Sequence, residues 1–426
     1  MKSRTRAATV AWLLAALYYF YQYALRSAPA VMMPQLSAAL GLSTIGVASL
    51  VGLFYYGYSP FALVSGVAID RLGARAVLPA GALMTATGAL LFATGSLAAA
   101  NIGRFLQGAG GVFSFVGAVY LIGKYFPDSR AATLIGATQM LGMAGGSAGQ
   151  FLVGPLLVWG ITWNRLWIGM GLLGVLLAAA LFVMTPAQEA VVQRGPWLKT
   201  SAAALRVVAT NPQSIISGLI AGLLFIPTNI LDMIWGVRFL QEAHGFDYGE
   251  AVIRSAMVPV GWIIGCPLLG WLSDRIGRRK PAIIGGAGVL FACLVWILYG
   301  DAGVLPPYVV GIVAGLASAS AMIPYTVIKE AHPPELNGTA TGVMNFLCFT
   351  FSALVGPVFG WIMQSVSGGG PTGPEHYQMT FQPLLYGVGL AIVLTFFLKE
   401  TGPAVRAAVP VTEKLCNLER ENTKVF

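Results

Sequence analysis

Three ionisable residues lie inside long apolar runs of the sequence: Arg26, Arg104 and Asp232. An ionised side chain in a hydrocarbon environment costs at least about 2.5–3.5 kcal/mol, so each is a candidate for a functional role. The guanidinium of arginine presents a planar fork of N–H donors that matches a carboxylate or a phosphate. A carboxylate can carry a proton. The three residues therefore point to chemistry in which an anion is bound and a proton is moved.

The first arginine ends a polar stripe. Tyr19, Gln22, Tyr23 and Arg26 recur at helical spacing and share one face of a predicted helix, so we expect this face to line a cavity and contact a ligand. Tyr58, in the next apolar run, is predicted to line the same cavity. Packing between helices, or an aromatic belt at the membrane surface, is the competing explanation for these tyrosines.

Two further apolar runs add polar groups to the predicted site. Gln107 follows Arg104 by one helical turn, and both are predicted to bind the ligand. Asn229 and Asp232 follow Pro227, which frees backbone carbonyls that can serve a cavity. We expect Asn229 to contact the ligand and Asp232 to couple its movement to a proton.

Each ionisable residue also has a structural explanation. Arg26 could extend its side chain to the membrane surface, and Arg104 could anchor its helix there or form a structural ion pair. Asp232 could be a structural partner of Arg238. These alternatives stay open at the level of sequence.

The composition excludes a soluble protein. Of the 426 residues, 57% are hydrophobic and only 10% are charged, and the mean hydropathy is +0.75. A soluble domain carries roughly 25% charged residues. The net charge of +9 is scattered through short loops, so we expect no nucleic-acid partner. Because no Ser/His/Asp set, metal-ligand cluster or phosphate loop is present, we expect neither an enzyme nor a cofactor or metal site.

Twelve apolar runs of about 20 residues or more predict an all-α membrane protein with twelve transmembrane helices. A longer polar stretch after the sixth run divides the chain. The predicted organisation is an N-terminal six-helix bundle at 1–185, a cytoplasmic linker at 186–213, a C-terminal six-helix bundle at 214–400 and a cytoplasmic tail at 401–426. Lys and Arg concentrate in alternate loops, which predicts cytoplasmic N- and C-termini.

A repeated motif relates the two bundles. Gly66–Arg75 reads GVAIDRLGAR, and Gly270–Arg279 reads GWLSDRIGRR 204 residues later. A repeat at about half the chain length is typical of transporters. Asp70 and Arg71, with Asp274 and Arg275 in the second copy, are predicted to form gating loops that break when the two bundles rock.

These motifs resemble the signature loops of the major facilitator superfamily, and the resemblance covers the whole chain. It implies two pseudo-symmetric six-helix bundles. Arg26 and the segment from Arg104 to Gly108 look like the anion:cation symporter branch, whose members move organic anions with protons. Segments 235–241, 261–265 and 334–342 look similar to bacterial phagosomal-transporter-like members.

We therefore expect a monomeric, multi-pass protein of the cytoplasmic membrane that takes up a small carboxylate-type anion with protons by alternating access. In this hypothesis the anion competes with Asp232 for an arginine, and the released carboxylate takes up a proton. Transport of amino acids or other zwitterions is one alternative. Efflux of a drug or metabolite in exchange for another ion is a second, and a non-transporting receptor is a third.

Overall fold

The computed structural model describes residues 2–42, 44–186, 197–232, 235–300, 308–368, 370 and 372–408. Within these ranges every regular element is helical. The predicted linker and tail are described only in part, since 187–196 and 409–426 lie outside the described residues.

The first half comprises the helices before the linker. They are α1 Lys2–Ser27, α2 Met33–Leu40, α3 Thr44–Leu72, α4 Ala74–Phe92, α5 Leu97–Tyr125, α6 Ala131–Phe151, α7 Val153–Val158 and α8 Trp163–Met184. A short helix, α9 Trp197–Ala209, lies within the predicted linker.

The second half comprises α10 Pro212–Pro227, a π-helical turn Thr228–Asp232, α11 Gly236–His244, α12 Tyr248–Ile276, α13 Lys280–Tyr299, α14 Val309–Ser318, α15 Ile323–Glu330, α16 Asn337–Ser367 and α17 Pro374–Phe397. A final short helix, α18 Pro403–Ala408, lies beyond it.

Nine spans among the described residues are long and apolar enough to cross a membrane. The helices α1, α6 and α16, of 26, 21 and 31 residues, complete the set of twelve. These three helices carry buried polar residues such as Gln22, Gln139 and Asn345. The fold is thus the all-α architecture expected from the sequence.

Glycine residues let α5 pack against α3 with the two backbones in contact. A Cβ atom at Gly108 would lie 1.9 Å from the carbonyl oxygen of Phe54, and one at Gly57 would lie 2.2 Å from that of Phe105. Small residues permit this close approach inside a membrane, where packing replaces the hydrophobic effect as the force between helices. The contact places the Arg104 side chain deep in the first half.

The two halves meet through two related helix pairs, α3 with α16 and α6 with α12. A Cβ at Gly66 would lie 2.5 Å from the Gly338 carbonyl oxygen, and one at Gly270 would lie 2.4 Å from that of Ala132. Gly66 and Gly270 begin the two copies of the repeated motif. The repeat in the sequence is therefore a repeat in the contacts between the halves.

Candidate functional site

Arg26 lies in the last turn of α1, and its half-buried guanidinium is surrounded by aromatic rings. Its Nε and Nη2 donate to the Tyr55 hydroxyl at 3.1 and 2.6 Å. Its Cζ lies 4.8 Å from the ring centroid of Tyr55, 4.9 Å from that of Tyr23 and 5.9 Å from that of Phe54. A fourth ring, Phe349, is 5.7 Å away. Phe349 belongs to α16, so Arg26 faces the junction between the halves.

The charge of Arg26 has no ion-pair partner among the side chains that the structure describes. The Tyr55 hydroxyl takes two of the five guanidinium N–H groups, which leaves three without a described hydrogen-bond acceptor. Aromatic faces stabilise a cation without neutralising it. The arrangement can therefore accept an anion.

Arg104 is fully buried inside the first half. Its Nη1 donates to the Leu25 carbonyl at 3.2 Å and to Gln107 Oε1 at 2.7 Å, and its Nη2 donates to the Val51 carbonyl at 3.2 Å. Its Nε has no partner among the described residues. Its Cζ lies 5.3 Å from the centroid of Phe54, the ring that also contacts Arg26. The structure thus brings the two arginines to one ring, with Arg104 further inside the bundle.

The predicted polar stripe on α1 lies at the centre of the molecule. The Tyr19 hydroxyl donates to Gln139 Oε1 at 2.9 Å and contacts the Tyr23 hydroxyl at 3.3 Å. Gln22 is fully buried, and within the described part of the chain neither its Nε2 nor its Oε1 has a hydrogen-bond partner. A Cβ at Gly111 would lie 3.0 Å from Gln22 Oε1.

Gln107 and Tyr58, which are also predicted site residues, differ in whether their polar atoms have hydrogen-bond partners. Gln107 uses both ends of its amide inside the first half, since its Nε2 donates to the Gly88 carbonyl at 3.0 Å and its Oε1 accepts from Arg104. Tyr58 stacks on Phe54 at 5.8 Å and meets Phe349 edge-on at 4.8 Å, yet its hydroxyl has no partner among described residues. Tyr58 therefore belongs to the junction.

Asn229 and Asp232 lie in the π-helical turn that follows Pro227. Asn229 is half-buried. The side chain of Asp232 lies outside the described part of the chain, and so do its predicted contacts with the arginines.

At the end of the molecule that carries the repeated motifs, Asp70 joins the two halves. Its carboxylate accepts hydrogen bonds from the backbone N–H of Gly338 at 2.7 Å, the backbone N–H of Thr339 at 2.6 Å and the Thr339 hydroxyl at 2.6 Å. Gly338 and Thr339 open α16 of the second half. A carboxylate is favoured there because the first N–H groups of a helix lack partners within it.

Asp274 makes the matching contact from the second half. It accepts from the backbone N–H of Ala132 at 3.4 Å, and from the backbone N–H and the hydroxyl of Thr133 at 2.8 Å each. Ala132 and Thr133 open α6 of the first half. We call the two contacts the Asp70 latch and the Asp274 latch, and this end of the molecule the latch end.

The arginines beside the latch aspartates make other contacts. Arg71 donates to the Thr200 hydroxyl of α9, and Arg275 lies over the Trp271 ring at 5.1 Å. The cation that pairs with Asp274 is Arg279, the last residue of the second motif copy. This pairing was not predicted from the motif.

Arg279 is fully buried and forms ion pairs with Asp274 at 2.6 Å and with Glu330 at 2.7 Å. Burial alone would lower the pKa of its guanidinium, but the hydrogen bonds and charges of Glu330 and Asp274 raise that pKa above its usual value. The Thr401 hydroxyl also donates to Glu330, at 2.8 Å. A chain of charged contacts thus runs from the segment after α17 to the first half.

Sequence reasoning also missed the contribution of the second half to the junction. Tyr325 of α15 and both Asn345 and Phe349 of α16 lie at the junction. Tyr55 of α3, in the first half, was missed as well. The available signal was a lone amide, Asn345, inside a predicted membrane helix.

The molecule consists of two pseudo-symmetric sets of membrane-length helices. The two sets are joined by the latches at one end and carry a pair of arginines nearer the other. This architecture is that of a helical membrane transporter and not of an enzyme. The chain belongs to the Major Facilitator Superfamily, whose family model matches residues 15–357.

Relatives and solved structures agree with this assignment. The chain is 26% identical over 385 residues to the probable nitrate/nitrite transporter NarK2 of Mycobacterium tuberculosis, covering 83% of this chain and 85% of that protein. It is 24% identical over 373 residues to the membrane sensor protein UhpC of Escherichia coli, with coverages of 81% and 82%. The proton:xylose symporter XylE has the same fold, with a TM-score of 0.71 at 16% identity, covering 94% of this chain and 97% of that one.

Proposed function

We propose that this transporter moves a small organic anion of the carboxylate type across the cytoplasmic membrane by alternating access, in proton-coupled uptake. The observation that carries the proposal is the half-buried Arg26 guanidinium, which has no acidic partner among the described side chains. A charge in a membrane interior is costly unless something compensates it. A carboxylate that fits the free N–H groups of Arg26 would supply that compensation.

The aromatic rings around Arg26 suit the rest of such a ligand. Four rings lie within 6 Å of the guanidinium carbon, and one of them comes from the second half. An organic acid has an apolar body that can pack against these faces while its carboxylate reaches the guanidinium. This favours an organic anion over a fully hydrated inorganic one.

Arg104 supplies a second positive charge behind the first. Its Nε is free of described partners, and its guanidinium shares the Phe54 ring with Arg26. In this proposal the anion binds Arg26 directly and is attracted by both charges. Gln107 holds Arg104 in place through its amide oxygen.

The two latches fit an alternating-access cycle. With both latches formed, the halves are joined at the latch end. In this proposal the latch end faces the cytoplasm, because the loops there are rich in Lys and Arg. In the proposed cycle the Arg26 site, which lies at the other end of α1, exchanges substrate with the outside in this state. Release to the cytoplasm requires the Asp70 and Asp274 contacts to break as the halves rock. The proposed gating residues thus oppose each other across the junction.

Proton coupling is assigned to Asp232. In the proposed cycle Asp232 pairs with Arg26 or Arg104 when no anion is bound. The arriving anion competes with this carboxylate for the arginine, and the displaced carboxylate then takes up a proton. The relative NarK2 is described as a probable nitrate/nitrite transporter, which supports an anionic substrate. The relative UhpC is described as a membrane sensor protein, so binding without transport is the outcome that would favour a receptor.

Uptake of labelled benzoate into proteoliposomes tests the proposal. We expect an inward proton gradient to drive accumulation, Arg26→Ala to abolish it, and Asp232→Asn to abolish accumulation while retaining exchange of internal for external benzoate. The exposed Arg165→Ala variant is the matched control and should transport normally. Accumulation that is unaffected by Arg26→Ala would refute the site, and accumulation by Asp232→Asn would refute the proposed coupling.

A further inference from the structure

Three buried, neutral polar side chains on α1, α3 and α16 carry hydrogen-bonding atoms that no described residue satisfies: Gln22, Tyr58 and Asn345. All three are at most 1% exposed. Leaving a buried polar atom without a partner costs about 1–3 kcal/mol, and native structures contain few such atoms. Tyr58 of the first half contacts Phe349, which lies one helical turn from Asn345 in the second half, so unsatisfied groups from both halves flank the junction. This arrangement points to a ligand that supplies the missing partners.

Asn345 has a fixed orientation. The Tyr325 hydroxyl donates to Asn345 Oδ1 at 2.8 Å, so the amide oxygen is occupied. The Nδ2 group carries the amide's donors and has no described partner. Tyr325 is itself held by an edge-on contact with Phe115 at 5.2 Å. The second half therefore presents a hydrogen-bond donor, and a ligand bound there must provide an acceptor oxygen.

The position of Asn345 relative to Arg26 follows from α16. Asn345 and Phe349 are four residues apart on this helix, which is one turn, or about 6 Å along its axis. Phe349 lies beside the Arg26 guanidinium. Asn345 is one turn closer to the latch end, because α16 begins there. A ligand held at Arg26 would reach Asn345 with its opposite end.

We propose that Asn345 recognises a hydroxyl group at the end of the substrate remote from its carboxylate, so that the substrate class is the hydroxylated carboxylates. This rests on the proposed function, since Arg26 must hold the carboxylate. A hydroxyl oxygen accepts from Asn345 Nδ2, and its proton is free to reach another unsatisfied acceptor.

A substrate that contacts Arg26 and Asn345 together would also affect the transport cycle. Arg26 belongs to the first half and Asn345 to the second, so a hydroxylated acid would contact both at once. A ligand shifts a conformational equilibrium only through unequal affinity for the two states. A hydroxyl that bridges to Asn345 gives the substrate such a preference, whereas an acid without the hydroxyl contacts mainly the first half.

A matched pair of acids tests this inference with the full-length purified transporter. The probes are 4-hydroxybenzoate and benzoate, and the readout is the ratio of their dissociation constants. We expect the wild type to prefer 4-hydroxybenzoate roughly tenfold. Asn345→Leu should bring the ratio close to one by weakening only the hydroxylated acid. Tyr325→Phe keeps the ring but removes the hydroxyl that orients the Asn345 amide, so it should reduce the ratio as well. This second variant provides the test if Asn345→Leu does not fold.

The control is Asn164→Leu, at an amide that donates to the Ala93 carbonyl of the first half. This change should affect thermal stability and leave the affinity ratio unchanged. An equal affinity of the wild type for both acids would overturn the inference, and so would a ratio that survives Asn345→Leu or Tyr325→Phe. If the wild type bound neither these acids nor other carboxylates, the proposed function itself would fail.

Discussion

Replacing Arg26 is the most informative perturbation of the site. Arg26→Ala removes the half-buried guanidinium but leaves the surrounding rings of Tyr23, Tyr55, Phe54 and Phe349 in place. The apolar part of a ligand can still pack against these rings. The variant therefore isolates the contribution of the charge.

The size of the effect follows from the contacts of the guanidinium. Tyr55 occupies Nε and one N–H of Nη2, so one carboxylate can be held by the remaining donors. A hydrogen bond to a charged group contributes about 1.5–3 kcal/mol. We expect Arg26→Ala to weaken carboxylate binding by about 3 kcal/mol, or roughly 150-fold in Kd. Arg26→Lys keeps the charge and loses the fork, so we expect a loss of about 1.5 kcal/mol, roughly tenfold.

Isothermal titration of purified transporter with benzoate measures these affinities. Arg238→Ala is the control, because Arg238 is an exposed arginine whose side chain pairs with Glu242 at 2.6 Å. It should bind like the wild type. A loss of less than about threefold for Arg26→Ala, or an equal loss in the control, would show that Arg26 does not hold the anion.

Three further changes test the structure around the site. Asp70→Asn removes the negative charge that three donors share, and electron paramagnetic resonance distances across the latch end should lengthen; unchanged distances would contradict the latch. Arg279→Met removes the cation that pairs with the buried Asp274 and Glu330 carboxylates and should cost about 3–5 kcal/mol, seen as a large drop in the thermal midpoint. Gly108→Ala forces a methyl group onto the Phe54 carbonyl and should lower the free energy of unfolding by about 1–3 kcal/mol. Gly169→Ala is the control and should be tolerated, because there is open space around Gly169. Equal thermal midpoints for these two variants would refute the close packing of α5 on α3.

The architecture could be predicted from the sequence because membrane helices obey a strong rule. A long apolar helix satisfies its own backbone groups in lipid, so length and hydropathy are sufficient to predict the spans. The repeat also predicted that Asp70 and Asp274 have equivalent roles at the junction, and their contacts with α16 and α6 agree with that. Helix interruptions, such as the π-helical turn after Pro227, depend on local packing and were not predicted in detail.

Side-chain partners were harder to predict because they depend on how the helices cross. Spacing placed Arg26 on a polar stripe, but only the packing of α16 brings Phe349 and Asn345 toward it. Motif position likewise drew attention to Arg275, whereas the buried partner of Asp274 is Arg279. A charge next to an aspartate in sequence points in a different direction on a helix, so neighbours in the chain are poor guides to ion pairs.

The central claim is that the site selects a negative charge, and a competition experiment tests it most directly. Proteoliposomes loaded with unlabelled 4-hydroxybenzoate would be placed in the labelled acid, with either benzoate or its neutral isostere benzamide as competitor. We predict that benzoate suppresses exchange in the wild type and that benzamide does not. Equal suppression by the two competitors would contradict the account, because a site built on the Arg26 guanidinium must distinguish a carboxylate from a carboxamide.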